Sequence, residues 1–271
     1  MVVREFVMHH EDLVQVIFYA LVIVSLWLTE QFIGMLSLGD KLSRTLMNAK
    51  FIFTALPIQL LFTVFVILIM KWVNYNHWGL INFVPFHHIL WLNYIVLFLL
   101  MDLGEYLYHV IMHKRDFLWR FHLVHHSDLH VDVSTTLREH PVETAIRTTF
   151  LMLWVFLFGP GIAVLMIRQA FQSFFNVFAH TEFRLPGKLN KILGWVFITP
   201  NLHHVHHHYL LPYTDRNYGD VLSIWDRLFG TYQELDQSRT KFGIDTHMDP
   251  MVNNRFFSVL QIPVRKFIRK S

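Results

Sequence analysis

The stretch PFHHILWLNYIVLFLLMDLGEYLYHVIMH, Pro85 to His113, decides how this chain must fold. Its first half, Pro85 to Met101, is apolar and carries no Asp, Glu, Lys or Arg. Its second half sets Asp102, Glu105, His109 and His113 at i, i+3, i+7 and i+11, a stripe along one helix face. A bilayer core of about 30 Å takes about 20 helical residues to cross. A helix continuing past such a span at 1.5 Å per residue carries His109 about 12 Å beyond Met101. The HVIMH pair then stands just outside the lipid, and the fold expected is all-α, with histidines at the ends of membrane spans.

Composition agrees, since 54% of the 271 residues are hydrophobic and only 16% are charged, as in an integral membrane protein. The sequence pI of about 9.1 reflects a formal charge of only +3 with no basic stripe, which excludes nucleic acid as a partner. The absence of cysteine excludes disulfides and thiolate metal sites, so any metal is held through nitrogen or oxygen. Further apolar runs cover Leu13 to Thr29, Phe51 to Met70, and Thr148 to Ile167, the last interrupted by Gly159-Pro160-Gly161. The first lacks a basic leader and a small-residue cleavage site, so it is read as a retained span. Lys41, Arg44 and Lys50 follow the first run, Lys71 the second, and Lys114, Arg115, Arg120 and Arg138 the third. The positive-inside rule then puts the N-terminus outside, and His109 to Arg138 together with the tail VRKFIRKS on the cytoplasmic face. Without internal repeats, low-complexity segments or long linkers, the expected partition is one membrane-embedded domain over 1–271. It comprises N-terminal transmembrane helices (1–84), a catalytic region (85–235) and a tail (236–271).

The 19 histidines are clustered. His109 and His113 are four apart; HLVHH sets His122, His125 and His126 at i, i+3 and i+4. The run HHVHHH offers the same spacing twice, as His203, His206 and His207 or as His204, His207 and His208, so spacing leaves its register open. His9, His10, His77, His87, His88, His130 and His247 stand apart and are read as core or surface residues. Burying three clusters of imidazoles beside a membrane without partners would cost several kcal/mol, and a metal would supply the partners. For the clusters to form one site, the chain between them must cross the membrane an even number of times. The Gly159-Pro160-Gly161 break supplies that turn, with Thr144 to Phe158 going in and Ile162 to Ala179 returning; Arg168 argues against plain lipid exposure of the returning limb. Asp102 and Glu105, below the HVIMH pair, are read as carboxylates that orient the imidazoles, or else as markers of the interface. Eight or more histidines exceed one tetrahedral zinc and point to two metals with open positions. Two other classes fit less well. A histidine-lined metal transporter would hold its ligands mid-span, and a b-type haem protein would set axial histidines on facing helices rather than in HxxHH triplets.

The ordered set MDLGEYLYHVIMH, LWRFHLVHHS, LREHP, FAHTE, TPNLHHVHHH and NYGDVLSIWDRLFGTY, over Asp102 to Tyr232, resembles the fatty acid hydroxylase/sterol desaturase superfamily of integral-membrane di-iron oxygenases. HTE and the spacing after TP look closest to the branch with alkylglycerol monooxygenase and bacterial sterol-desaturase-like proteins. The resemblance implies His109, His113, His122, His125, His126, His180, His203, His206 and His207 as ligands, the register after TP being set by counting three residues from Pro200. His140, His204 and His208 stay outside that set, and Trp225 and Phe229 pack under the site. It implies two Fe ions, O2 as co-substrate, and hydroxylation, or alternatively desaturation, of a fatty acyl chain, sterol or ether lipid. Electrons would come from a separate cytochrome b5-like, ferredoxin-like or pterin donor, as no fused carrier domain is visible. The membrane would be the endoplasmic reticulum in a eukaryote or the inner membrane in a bacterium.

Overall fold

A long apolar segment in lipid has to satisfy its backbone hydrogen bonds internally, and the apolar runs above contribute most of their described residues to helices. The computed structural model describes residues 11–34, 36–85 and 88–265; His9, His10, His87 and the end of the tail lie outside them. The chain runs through α1 (Glu11–Ile33), α2 (Leu38–Tyr75), α3 (Leu90–Lys114) and α4 (Asp116–His126). It continues through α5 (Pro141–Phe158), α6 (Ile162–His180), α7 (Gly187–Leu193), α8 (Pro200–His206) and α9 (Ile224–Leu228). Two short helices, α10 (Pro250–Asn253) and α11 (Phe256–Leu260), follow in the tail. Among the described residues, four helical segments are long and apolar enough to cross a membrane: α2 with its extension, α3, α5 and α6. The first expected span lies in α1, whose described apolar part, Tyr19–Ile33, is shorter.

The 38 residues of α2 would measure about 57 Å, well beyond the bilayer core. Its first turns carry polar residues that are nonetheless buried. Lys41 is 1% exposed; its Nζ lies 3.0 Å from Glu30 of α1 and donates to the Trp27 carbonyl. Arg44 pairs with Asp128 at 2.6 Å and Asp132 at 3.4 Å. Arg138, also 1% exposed, donates to the carbonyls of Val124 and Asn253 and to Ser127 Oγ. This belt ties α1 and α2 to the 127–138 connection and to the tail. Three of the basic residues that suggest an orientation are therefore fixed by buried partners, and removing one member of such a pair typically costs about 3–5 kcal/mol.

The expected hairpin is present. Gly159 ends α5 with φ +75, and the turn after α2 brings Gly79, φ +114, against it. A Cβ on Gly79 would stand 2.5 Å from Gly159 Cα, and one on Gly159 would stand 2.6 Å from the Trp78 carbonyl oxygen. Gly104 lets α3 meet α5 in the same way, since its Cβ would stand 3.0 Å from the Trp154 ring. Met101, Val66, Trp154 and Val155 form the core at this level. Arg168 is buried in the returning limb, 3.1 Å from Glu105. We expect Gly159→Ala to cost about 1–2 kcal/mol or more, because it adds a Cβ in the left-handed region at a closed contact. Gly161→Ala, with φ −77 and open space around its Cβ, should stay within about 0.5 kcal/mol. Denaturation midpoints of the two variants in detergent would check this.

Candidate metal centre

Local structure delivers the histidines to one place. α3 carries His109 and His113 in its last two turns; Arg115 breaks the helix in an extended conformation, and α4 starts back at once. The hairpin returns His180 as the last residue of α6. α8 begins at Pro200, capped by Thr199 Oγ1 accepting from the Leu202 amide. Their ring nitrogens gather into two groups, His109, His113, His122, His126 and His206 in one, and His125, His180, His203 and His207 in the other. Within each group the nitrogens lie within 4.8 Å of one another.

Each HxxHH triplet is divided between the groups, and helix geometry explains why. Residues i and i+4 point about 40° apart, whereas neighbours i+3 and i+4 diverge by about 100°. The rings of His125 and His126 stand at 87°, as do those of His206 and His207. α4 thus gives His122 and His126 to the first group and His125 to the second. α8 does the reverse, giving His203 and His207 to the second and His206 to the first. His126 and His207 stack between the groups at 4.4 Å. The alternative register falls outside. His204 bonds the Thr181 carbonyl through Nε2, and His208 Nδ1 accepts from the Lys241 amide. His140 caps α5 through Nδ1, outside both groups.

Do these nitrogens fit a metal? Carbonyl oxygens only accept, so Nδ1 must be the protonated nitrogen in His109 (to Tyr218 O, 2.8 Å), His206 (to Arg216 O, 2.8 Å) and His180 (to Asn176 O, 2.7 Å). His122 Nδ1 likewise donates to Glu143 Oε1 at 2.6 Å. A neutral imidazole has one N–H, so each of these presents a bare lone pair at Nε2. Yet His109 and His122 face each other Nε2 to Nε2 at 3.2 Å, and His180 Nε2 lies 3.0 Å from the Nε2 atoms of both His125 and His203. His126 is fully buried with no hydrogen-bond partner at either nitrogen, and His206 Nε2 has none. Each such buried orphan costs about 1–3 kcal/mol. A cation among the lone pairs removes both penalties. Nitrogens about 2.1 Å from a shared ion stand about 3.0 Å apart at a right angle and about 3.4 Å apart in a tetrahedron. The observed separations of 3.0–3.2 Å are of the size that nitrogens sharing one ion take.

A profile described as fatty acid hydroxylase matches residues 94–231, just over half of the chain and including all nine of these histidines. The chain belongs to the fatty acid hydroxylase family. It is 33% identical over 132 residues to the alkylglycerol monooxygenase of Caenorhabditis elegans, covering 49% of this chain and 25% of that protein. To the ornithine lipid hydroxylase OlsE of Rhizobium tropici it is 33% identical over 145 residues, 53% of this chain and 43% of the relative. Human alkylglycerol monooxygenase is 34% identical over 156 residues, 55% and 32% of the two chains. The matches thus span less than half of these relatives' own lengths. No solved structure matches the chain.

Within this family member, the carboxylates that hold the imidazoles differ from those expected. Asp102 bonds no histidine; it accepts from the Val221 and Leu222 amides and from Trp225 Nε1. It therefore fixes the segment whose Tyr218 carbonyl holds His109. Glu105 is taken by Arg168 and Gln172 instead. The carboxylates in contact with the rings are Glu143, on His122, and Asp215, 3.3 Å from His113 Nδ1. Sequence reasoning missed both. Glu143 follows His140 by three in LREHPVE and reads as a helix-start residue, and Asp215 ends a single 3-10 turn, Tyr213–Asp215, too short to show a periodicity. Phe229 stacks on Tyr106, which meets Tyr218 edge-on beside His109.

Burial, and after it the neighbouring imidazoles, hold His125, His126, His203 and His207 well below the ordinary imidazole range, and burial takes His206 down to about 3. All five are neutral at pH 7, the form that binds metal. As the pH falls below 6.5 the unfolded chain takes up a proton that folded His206 refuses until about 3. Stability is therefore intact above 6.5 and lost progressively across that window. The unfolding midpoint of metal-free protein, followed from neutral pH downward, should fall accordingly. Glu143→Gln should weaken metal binding by about 10–100-fold, as expected for loss of a ligand's carboxylate partner, while Glu105→Gln changes it little. Metal titration of the two variants checks this.

Proposed function

We propose that this chain is an O2-dependent hydroxylase of membrane lipids that works with two Fe ions. His109, His113, His122, His126 and His206 would hold one ion, and His125, His180, His203 and His207 the other. The observation that carries the proposal is the paired, all-nitrogen arrangement of lone pairs gathered at the C-terminal ends of α3 and α6. Relatives named as monooxygenase and hydroxylase act, by those names, on alkylglycerol and on ornithine lipid, which supports a lipid as the substrate class.

Two ferrous ions held by these histidines would supply the reductive activation of O2; the overall reaction would put one oxygen atom into a C–H bond and the other into water, with two electrons and two protons from the donor side. The protein's part is to hold the nitrogens neutral and aimed. Glu143 and the carbonyls of Tyr218, Arg216 and Asn176 fix the tautomers that direct Nε2 inward. Electrons would come from a separate donor, cytochrome b5-like, ferredoxin-like or a pterin. The groups would face the cytoplasm, a reading supported by exposed Lys114 and Arg115 at the end of α3. Desaturation uses the same oxidant and is the secondary outcome.

Protein purified in detergent after growth with ample iron should carry two irons per chain. His125→Ala and His126→Ala, neighbours assigned to different ions, should each lose about half of that iron and all turnover. Heavy-isotope O2 should appear in the lipid product. A single zinc per chain, unchanged in both variants, would refute the proposal.

A further inference from the structure

Beside the nitrogens lies a cavity of about 60 Å³, bounded by His109 and His122 of the first group and His125, His180 and His203 of the second. Glu105 lies one turn before His109 on α3, and Asn176 one turn before His180 on α6, so the cavity extends from the nitrogens toward the spans. A passage for a plain alkyl chain would be apolar there. Instead the wall carries four carboxylates, Glu105, Glu139, Glu143 and Asp220, against one guanidinium, Arg147. Glu105 is bound by Arg168, and Glu139 by Arg147 at 2.9 Å and Thr144 at 2.7 Å. Two carboxylate oxygens are left over. Glu143 Oε2, in a fully buried side chain, and Asp220 Oδ2 are both buried without a hydrogen-bond partner.

Buried acceptors are rarely left without donors, and the volume admits only a few water-sized groups. We propose that the cavity receives the small polar head of the lipid substrate through its O–H or N–H donors, with Glu143 Oε2 and Asp220 Oδ2 accepting. The carbon offered to the histidine groups then lies in or next to the head group, not along a distal run of methylenes. Methylenes would leave both acceptors unpaired, and a free carboxylate head would bring them further acceptors and no donor. Burial, and then the neighbouring Glu105, push the Asp220 carboxyl up to about 6, against the opposing pull of Arg168, Arg147 and a hydrogen bond from Gln172. This inference rests on the lipid-hydroxylase reading only in calling the occupant a substrate.

The test is equilibrium binding to the iron-loaded full chain in nanodiscs kept free of O2, with four amphiphiles of one chain length. They are hexadecylglycerol ether, the same ether with both hydroxyls methylated, hexadecylamine and palmitate. At least one donor-bearing head should bind about tenfold or more tighter than the methylated ether and palmitate. Preference for the diol identifies a hydroxyl head, and preference for the amine an ammonium head. Asp220→Leu should abolish the preference, and Asp220→Asn, which keeps an acceptor oxygen, should retain part of it for the diol. Equal binding of the methylated ether and the free diol, with no preference for the amine, overturns the inference on the wild-type chain alone. Turnover is measured separately with heavy-isotope O2. A preference without turnover would count against the hydroxylase reading and leave the head-group site standing; turnover without a preference would do the reverse.

Discussion

The structure depends on one electrostatic constraint, that largely buried neutral imidazoles are brought together with their Nε2 atoms facing one another. His109 and His122 turn bare Nε2 lone pairs on each other at 3.2 Å, and His180 turns one on the Nε2 atoms of His125 and His203 at 3.0 Å. The scaffold sets this arrangement, because His109, His122 and His180 are each committed at Nδ1 to a carbonyl or carboxylate that fixes the tautomer. The fold thus maintains an arrangement that becomes favourable once cations stand among the lone pairs. That is the sense in which a metal centre is written into the polypeptide itself.

Helix geometry makes two groups rather than one. A triplet with spacing i, i+3, i+4 cannot aim all three rings at one point, because its last two members diverge by about 100°. Two triplets on two helices, with opposite allocation of their members, give each group a pair from one helix and a single from the other. Exchange of one nitrogen each way fixes the groups side by side. The rest of the fold serves this juxtaposition. The Gly159 and Gly79 turns interlock so that α6 returns His180, and Asp102 clamps the 221–225 segment so that the Tyr218 carbonyl meets His109.

Much of this was legible in the sequence because it is local and periodic. The spans, the glycine-proline hairpin and the clustering of histidines all follow from spacing along one chain. What was not legible depends on contacts between distant segments. Glu143 and Asp215 lie 21 and 102 residues from the rings they hold, with no shared periodicity to suggest them. The stripe through Asp102 and Glu105 is real as helix geometry, but both carboxylates have stronger claims on them, from the 221–225 backbone and from Arg168. Lys41, Arg44 and Arg138 look from sequence like free topological charges. The structure instead spends them on buried pairing, so orientation has to rest on the remaining basic residues.

The polarity of the site runs opposite to that of the spans that carry it. α3 is mostly apolar until Asp102 and Glu105 in the turns just before His109, and Glu105 pairs with Arg168, which α6 carries near its start, well before His180. Such charges are costly near lipid and persist where they face an enclosed, hydrated or ligand-filled space. Their depth is informative, because a lipid approaching from the bilayer would bring its chain past the apolar turns and its head past the charged ones. Chain-directed oxidation would call for the reverse order, apolar walls reaching up to the nitrogens. The order of environments along α3 is the one expected for the proposed head-group site, in which a lipid lies lengthwise with its polar end nearest the histidines.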